Sequence, residues 1–286
     1  MTDEGHKKDE GLEEPESSPS DEKNKRDAEE RTAPPGSVVY QAILTEGVQE
    51  LRRCPAALWW SGLAAGLSMG FSLVAEGLLS FYLPEARWTP LVTKLGYSVG
   101  FLIVILGRQQ LFTENTLTAI LPLLNRREGA TIRDVSRLWS IVLAANLVGA
   151  AVFAIGIAEL AVFDHETRAA FQRVGEVALA PSPAALFVKA IFAGWLIALM
   201  VWLLPYAESA RVLVIVIVTY LIGLGGFAHI IAGSVEVMFV AAVGGASWIQ
   251  CIAGYMLPTL AGNIIGGVAL VAALNHAQVV ADRELH

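Results

Sequence analysis

Cysteine and charge are both scarce in this chain. Only Cys54 and Cys251 occur in 286 residues, far apart and at or within apolar runs, which excludes a disulfide framework and a thiolate metal site. Charged residues make up 16 % of the chain, against about 25 % in soluble domains. The shortage is sharper than that figure, because residues 1–31 alone hold twelve acidic and six basic side chains. The body is left almost neutral, so the net charge of −7 describes the leading segment and not a substrate. Phosphate loops, nucleophile–base pairs and clusters of metal ligands are missing as well. The chain therefore reads as a non-enzyme with no cofactor, and nothing in it points to nucleic acid.

What is present is apolar length. The composition is 55 % hydrophobic with a mean hydropathy of +0.55. Residues 1–36 have too few apolar side chains to offset chain entropy, so a disordered acidic tail is expected, and no apolar stretch marks it as a signal peptide. Residues 37–53 follow as an amphipathic helix on the membrane surface, with Val39, Ile43, Val48 and Leu51 opposite Glu46, Glu50, Arg52 and Arg53. Residues 54–276 form a six-span transport domain, and 277–286 a cytoplasmic end. Runs of roughly 20 apolar residues place the spans at 55–83, from Pro90 onward, 135–163, 184–205, from Arg211 onward, and 248–275.

Two of these spans are interrupted. The second meets RQQLFTENT and the fifth meets AHIIAGSVE before each continues apolar. Span 3 carries AANLVGAA and span 6 carries AGNIIGGV, so the body reads as two halves of three spans, inverted relative to each other. Paired broken spans at matching places in two halves point to a pathway at the bilayer midplane. Irregular backbone at membrane depth has to face protein or a water-filled cavity. The breaks thus carry Thr113, Glu114, Asn115, Thr116, His229, Ser234 and Glu236 inward. Arg52, Arg53, Arg126, Arg127, Arg133, Arg137 and Arg211 collect on one side, which puts both termini in the cytoplasm.

LFTENT, AHIIAGS and GNIIGG, in that order and one per expected span, resemble the formate/nitrite transporter family over residues 38–276. The resemblance implies an all-α, aquaporin-like membrane fold of six helices with helices 2 and 5 broken. It implies a homopentamer in the bacterial inner (plasma) membrane, with one pore per protomer in contact with lipid. It implies passage of formate, nitrite or a related weak acid, taken across with a proton. By the same resemblance Leu111, Phe112 and Thr113 match the loop that narrows the cytoplasmic side, and Tyr97 and Ile222 the outer apolar collar. His229 matches the pore histidine, and Asn146 and Asn263 the paired asparagines that brace the breaks.

Plainer roles stand beside these. His229 can hydrogen-bond a carbonyl freed by the break, and Thr113 can cap the helix that follows it. Leu111 and Phe112 can be ordinary packing, and Gly62, Gly66 and Gly70 a ridge for close helix approach. Two departures from the family favour an alternative, a channel permeable to cations or neutral solutes. The segment before span 4 reads SPA without the family's vestibule lysine, and Glu114 and Glu236 add carboxylates that Arg108 is placed to neutralise.

Overall fold

The computed structural model describes residues 35–126, 128–160 and 162–278. The acidic tail expected over 1–36 falls almost wholly outside them, as do Arg127 and most of the 277–286 end. All regular structure among the described residues is helical.

α1 (Gly36–Leu51) precedes α2 (Pro55–Tyr82), and α3 (Thr89–Leu106) leads to the first break. Two short helices follow the break, α4 (Asn115–Thr118) and α5 (Ile120–Arg126), and then α6 (Gly129–Glu159). The second half repeats this order. α7 (His165–Leu179) precedes α8 (Pro183–Leu203); α9 (Arg211–Leu224) and α10 (Ile230–Ala242) flank the second break; α11 (Gln250–Gln278) closes the bundle, winding partly as π-helix. Among the described residues five helices are long and apolar enough to cross a bilayer alone. α9 and α10, with 14 and 13 residues, fall short of the roughly 20 a crossing needs, so they share the remaining one.

The repeat is visible in its closest contacts. A Cβ on Gly66 would sit 2.1 Å from the Asn146 carbonyl oxygen, and one on Gly194 2.3 Å from that of Asn263. Only glycine lets α2 meet α6, and α8 meet α11, backbone to backbone. The repeat unit also includes the amphipathic helices. A Cβ on Gly47 of α1 would sit 2.0 Å from the Thr118 carbonyl, and one on Gly175 of α7 2.5 Å from that of Glu236.

α7 occupies the stretch between spans 3 and 4 that reads by hydropathy as a loop. Its start is legible in retrospect: Asp164 accepts a bond from the Thr167 N–H at 2.7 Å, and Ala170, Phe171 and Val174 bury one face. That N–H holds the exposed Asp164 carboxylate below its usual range. The cap is therefore fully present above the ordinary carboxylate range and is lost as pH falls through the lowered value. Asp164→Asn keeps the acceptor and is expected to remove this acid sensitivity, which hydrogen exchange at Thr167 between pH 2 and 6 would read; unchanged sensitivity would assign it to another group.

The outer surface is apolar. Trp60 is 66 % exposed and Ile249 78 %, with Val152, Leu213 and Ile217 also outward. A belt of this kind is a poor surface in water and a good one in lipid.

Candidate functional site: a closed passage between two chain breaks

Each break begins with the same helix-ending turn. Gly107 N bonds the Ile103 carbonyl at 2.9 Å and Gln109 N the Val104 carbonyl at 3.0 Å; Gly225 N bonds Leu221 at 2.9 Å and Phe227 N bonds Ile222 at 3.0 Å. The left-handed residue this motif requires is Gly226 (φ 58°) in one half and Arg108 (φ 51°) in the other. A non-glycine residue there costs about 1–2 kcal/mol, so something at that position outweighs local strain. Arg108 reaches Glu46 of α1 at 3.2 Å, and not Glu114 or Glu236 as expected. Glu114 lines the same cavity as Arg108 without an ion pair to it, and Glu236 lines the other cavity.

One asparagine then brackets each break. Asn146 Oδ1 accepts from Phe112 N at 2.9 Å, while its Nδ2 donates to the carbonyls of Gly62 (2.7 Å) and Gln110 (2.9 Å). Asn263 Oδ1 accepts from Ile230 N at 2.8 Å, and its Nδ2 donates to Ala190 (2.8 Å) and Ala228 (2.9 Å). A carboxamide is well suited to this place, since it alone offers an acceptor and two donors without charge. Each ties a break to the two unbroken helices of its own half.

The breaks meet at Thr113 and His229, 2.8 Å apart and both wholly buried. His229 is the N-cap of α10. Its Nδ1 accepts from the N–H groups of Ile231 (3.3 Å) and Ala232 (3.2 Å), so the ring serves freed N–H groups and not a carbonyl. An Nδ1 that accepts twice is unprotonated, which places the proton on Nε2. His229 thus donates to the Thr113 oxygen, and the Thr113 hydroxyl keeps its own proton for another acceptor. Thr113 does not cap α4; the residue before that helix is Glu114, which makes no side-chain capping bond.

Apolar groups seal the level of this pair. Phe101 stands edge-on to His229 at 4.9 Å, and Tyr97 lies 5.4 Å from Phe101. Tyr97 packs on Gly223 beside the buried Ile222. Leu111 and Phe112 are buried on the other break, with Phe112 against Trp139 at 5.6 Å. A cavity opens on either side. The wider, about 350 Å³, is lined by Glu46, Glu50, Arg108, Gln110, Glu114 and Arg211. The narrower, about 90 Å³, is lined by Lys94, Tyr97, Lys189, Phe227, Glu236 and Tyr255. Glu114 and Glu236 are thus on opposite sides of the barrier.

Sequence reading missed Phe101, Lys94 and Glu76, and set Lys189 aside as too far into its helix. Phe101 was announced only by its place one turn beyond Tyr97. Lys94 pairs with Glu76, two charges that stand alone in apolar runs and were a signal for that reason. Lys189, well inside α8, reaches the Gly226 carbonyl at 3.2 Å, because a long stem lets an ammonium climb to a cavity mouth. The narrower cavity therefore has lysines, contrary to what the SPA segment suggests. Among the described residues no three His, Cys, Asp or Glu side chains gather as metal ligands.

Six crossings in two inverted halves, with broken helices meeting at a sealed midpoint, define a polytopic membrane channel of aquaporin-like build. The chain belongs to the formate/nitrite transporter family, whose model matches residues 37–277. It is 42 % identical over 254 residues to an inner membrane protein of Escherichia coli, YfdC, a match covering 89 % of this chain and 82 % of that one. It is 27 % identical over 196 residues to a probable formate transporter of Methanothermobacter thermautotrophicus, covering 62 % and 71 % of the two chains. Among solved structures, one described as an FNT family ion channel superposes with a TM-score of 0.71 at 20 % identity, covering 84 % of this chain and 98 % of the other. A pentameric formate channel with formate bound superposes at 0.67 and 18 % identity, covering 79 % and 98 %. At those identities the structures speak to the fold.

Proposed function

We propose that the chain passes a small weak acid, formate or nitrite in first place, which crosses the sealed level as the neutral acid together with a proton. The observation that carries this reading is the Thr113–His229 bond between the two breaks, set in an apolar barrier with a cavity on each side. A charge at the centre of a membrane costs about 2.5–3.5 kcal/mol even on lenient scales, and a bound proton removes most of that. Small carboxylic acids ionise near pH 4 in water, and low dielectric favours the neutral form. Such an acid has one donor and two acceptors, which the Thr113 hydroxyl can meet and, once the solute displaces their mutual bond, the His229 N–H as well.

The same reading makes Leu111, Phe112, Tyr97 and Ile222 the apolar walls and Asn146 and Asn263 the braces. It places 37–53 on the membrane surface and both termini in the cytoplasm. It makes the assembly a homopentamer of the kind named for one structural neighbour, in the inner membrane, acting by passage and not by catalysis. The alternative, passage of a cation or neutral solute, loses one of its supports because Lys94 and Lys189 line the narrower cavity.

Uptake of labelled formate and nitrite into proteoliposomes tests the reading. It is expected to rise as external pH falls; uptake no greater than into empty liposomes at every pH would overturn it. Thr113→Val is expected to lower uptake about tenfold. It leaves the His229 N–H without a partner at a cost of about 1–3 kcal/mol, which a thermal unfolding scan in detergent would read. Uptake equal to the parent would remove Thr113 from the pathway.

A further inference from the structure

Three ionisable side chains stand together at and behind the narrower cavity: Lys94 and Glu236 line it, and Glu76 is paired with Lys94. Glu76 of α2 is 3 % exposed and accepts from the Lys94 ammonium of α3 through Oε1. Its Oε2 is buried with no hydrogen-bond partner. Glu236 of α10 is 7 % exposed and lines the cavity with Lys94, Tyr97 and Tyr255. Among the described residues neither Glu236 oxygen has a hydrogen-bond or ion-pair partner.

The scaffold does not ask for these charges. In the other half the position of Glu236 is held by Thr118, as the Gly47 and Gly175 approaches show. Its hydroxyl is satisfied locally by Asn115 Oδ1 at 3.2 Å. By the register of Gly66 on Gly194 and Gly107 on Gly225, Glu76 and Lys94 fall on Leu204 and Val212. The same fold is thus built once with three ionisable groups and once with none.

Counting charge gives the cluster its chemistry. Lys94 is committed to Glu76, so an ionised Glu236 is an unpaired buried charge, which is expensive. The other groups facing it do not change the count. Tyr97 and Tyr255 are neutral phenols, α7 contributes Val174, Val177 and Ala178, and α6 contributes no charged group to the cavity. Lys189 sits at the rim, half-exposed and bonded to the Gly226 carbonyl.

We propose that Glu236, backed by the Glu76–Lys94 pair, is the proton donor of the narrower cavity. An incoming weak-acid anion is drawn in by Lys94 and Lys189 and takes the proton from the Glu236 carboxyl. The O–H bond at Glu236 breaks as the O–H bond of the solute forms. The neutral acid moves on past Tyr97 and Phe101, and the Glu236 carboxylate recovers a proton from water at the cavity mouth. Tyr97 lines the same cavity as Glu236 and contacts Phe101, so donor and collar are adjacent. The inference rests on the weak-acid reading and deepens it by naming where the proton is handed over.

Proteoliposomes of the full chain, loaded with a pH dye and given labelled formate between pH 5 and 8, test it. The parent protein is expected to acidify the lumen as formate enters, with uptake falling by much less than tenfold per pH unit. Glu236→Gln leaves only formic acid already protonated in bulk, so its uptake should fall about tenfold per pH unit across that range. Glu76→Gln releases Lys94 to pair with Glu236 and hold it ionised, and should give the same steep profile with Glu236 intact. Either variant, eluting as the parent does from a sizing column, would overturn the proposal if it kept the parent's pH profile. So would a Glu236→Gln that lost uptake equally at every pH, a structural effect. If Glu236→Gln fails to fold, Glu76→Gln decides alone. Formate entry into parent liposomes without lumenal acidification would reject the weak-acid reading itself, which separates the two failures.

Discussion

Replacing His229 with asparagine is expected to cut solute flux by about five- to a hundredfold while leaving a protein that folds and assembles. The reasoning separates the two ends of the ring. Nδ1 serves the backbone, accepting from Ile231 and Ala232 at the start of α10. Nε2 meets Thr113 across the gap between the two breaks, where we propose the solute passes. Asparagine is a strong N-cap, so its side-chain oxygen can take over the first task. It is too short to take over the second. A polar solute deprived of one buried hydrogen bond faces a barrier higher by about 1–3 kcal/mol, which is about five- to a hundredfold in rate. His229→Phe removes both tasks, so it should lose flux and stability together. Flux assays on the two variants, with unfolding scans beside them, read the difference. Parent-like flux in His229→Asn would confine the histidine to its capping role.

Asn146→Leu and Asn263→Leu are expected to be the most destabilising single substitutions in the bundle, and to be so to a similar extent. Each asparagine holds three buried backbone groups, one N–H and two carbonyls, and leucine holds none. A buried polar group left unmade costs about 1–3 kcal/mol, so the loss is at least about 3 kcal/mol for either variant. The expected readout is a large drop in thermal midpoint in detergent, with loss of the assembled species on a sizing column. A parent-like midpoint for one of the two would mean that its break is held by something other than its bracket.

How much of this was legible in the sequence differs from residue to residue. The breaks were plain because RQQLFTENT and AHIIAGSVE interrupt apolar runs, and hydropathy is a local property. The asparagines were legible as a pair because AANLVGAA and AGNIIGGV are alike. α7 was not, since its apolar face is short and sits among Asp164, Glu166, Arg168 and Arg173, which average out to a loop. Glu76 and Lys94 were visible as isolated charges, but a charge in a span says nothing of its partner. The ion-pair partner of Arg108 was not legible, because Glu46 lies on α1, far away in the chain.

What the sequence determined by itself was the order of apolar crossings, the two places where the backbone leaves its helix, and the polar residues it carries inward there. These follow from composition over windows of a few turns, which solvation alone selects. Only the tertiary structure decided that Thr113 and His229, 116 residues apart, share a hydrogen bond, that Lys189 reaches the rim of the narrower cavity, and that Glu236 faces it with no hydrogen-bond partner among the described residues. Those relations come from packing one half of the chain upside down against the other, and short-range preferences carry no information about which surfaces then touch.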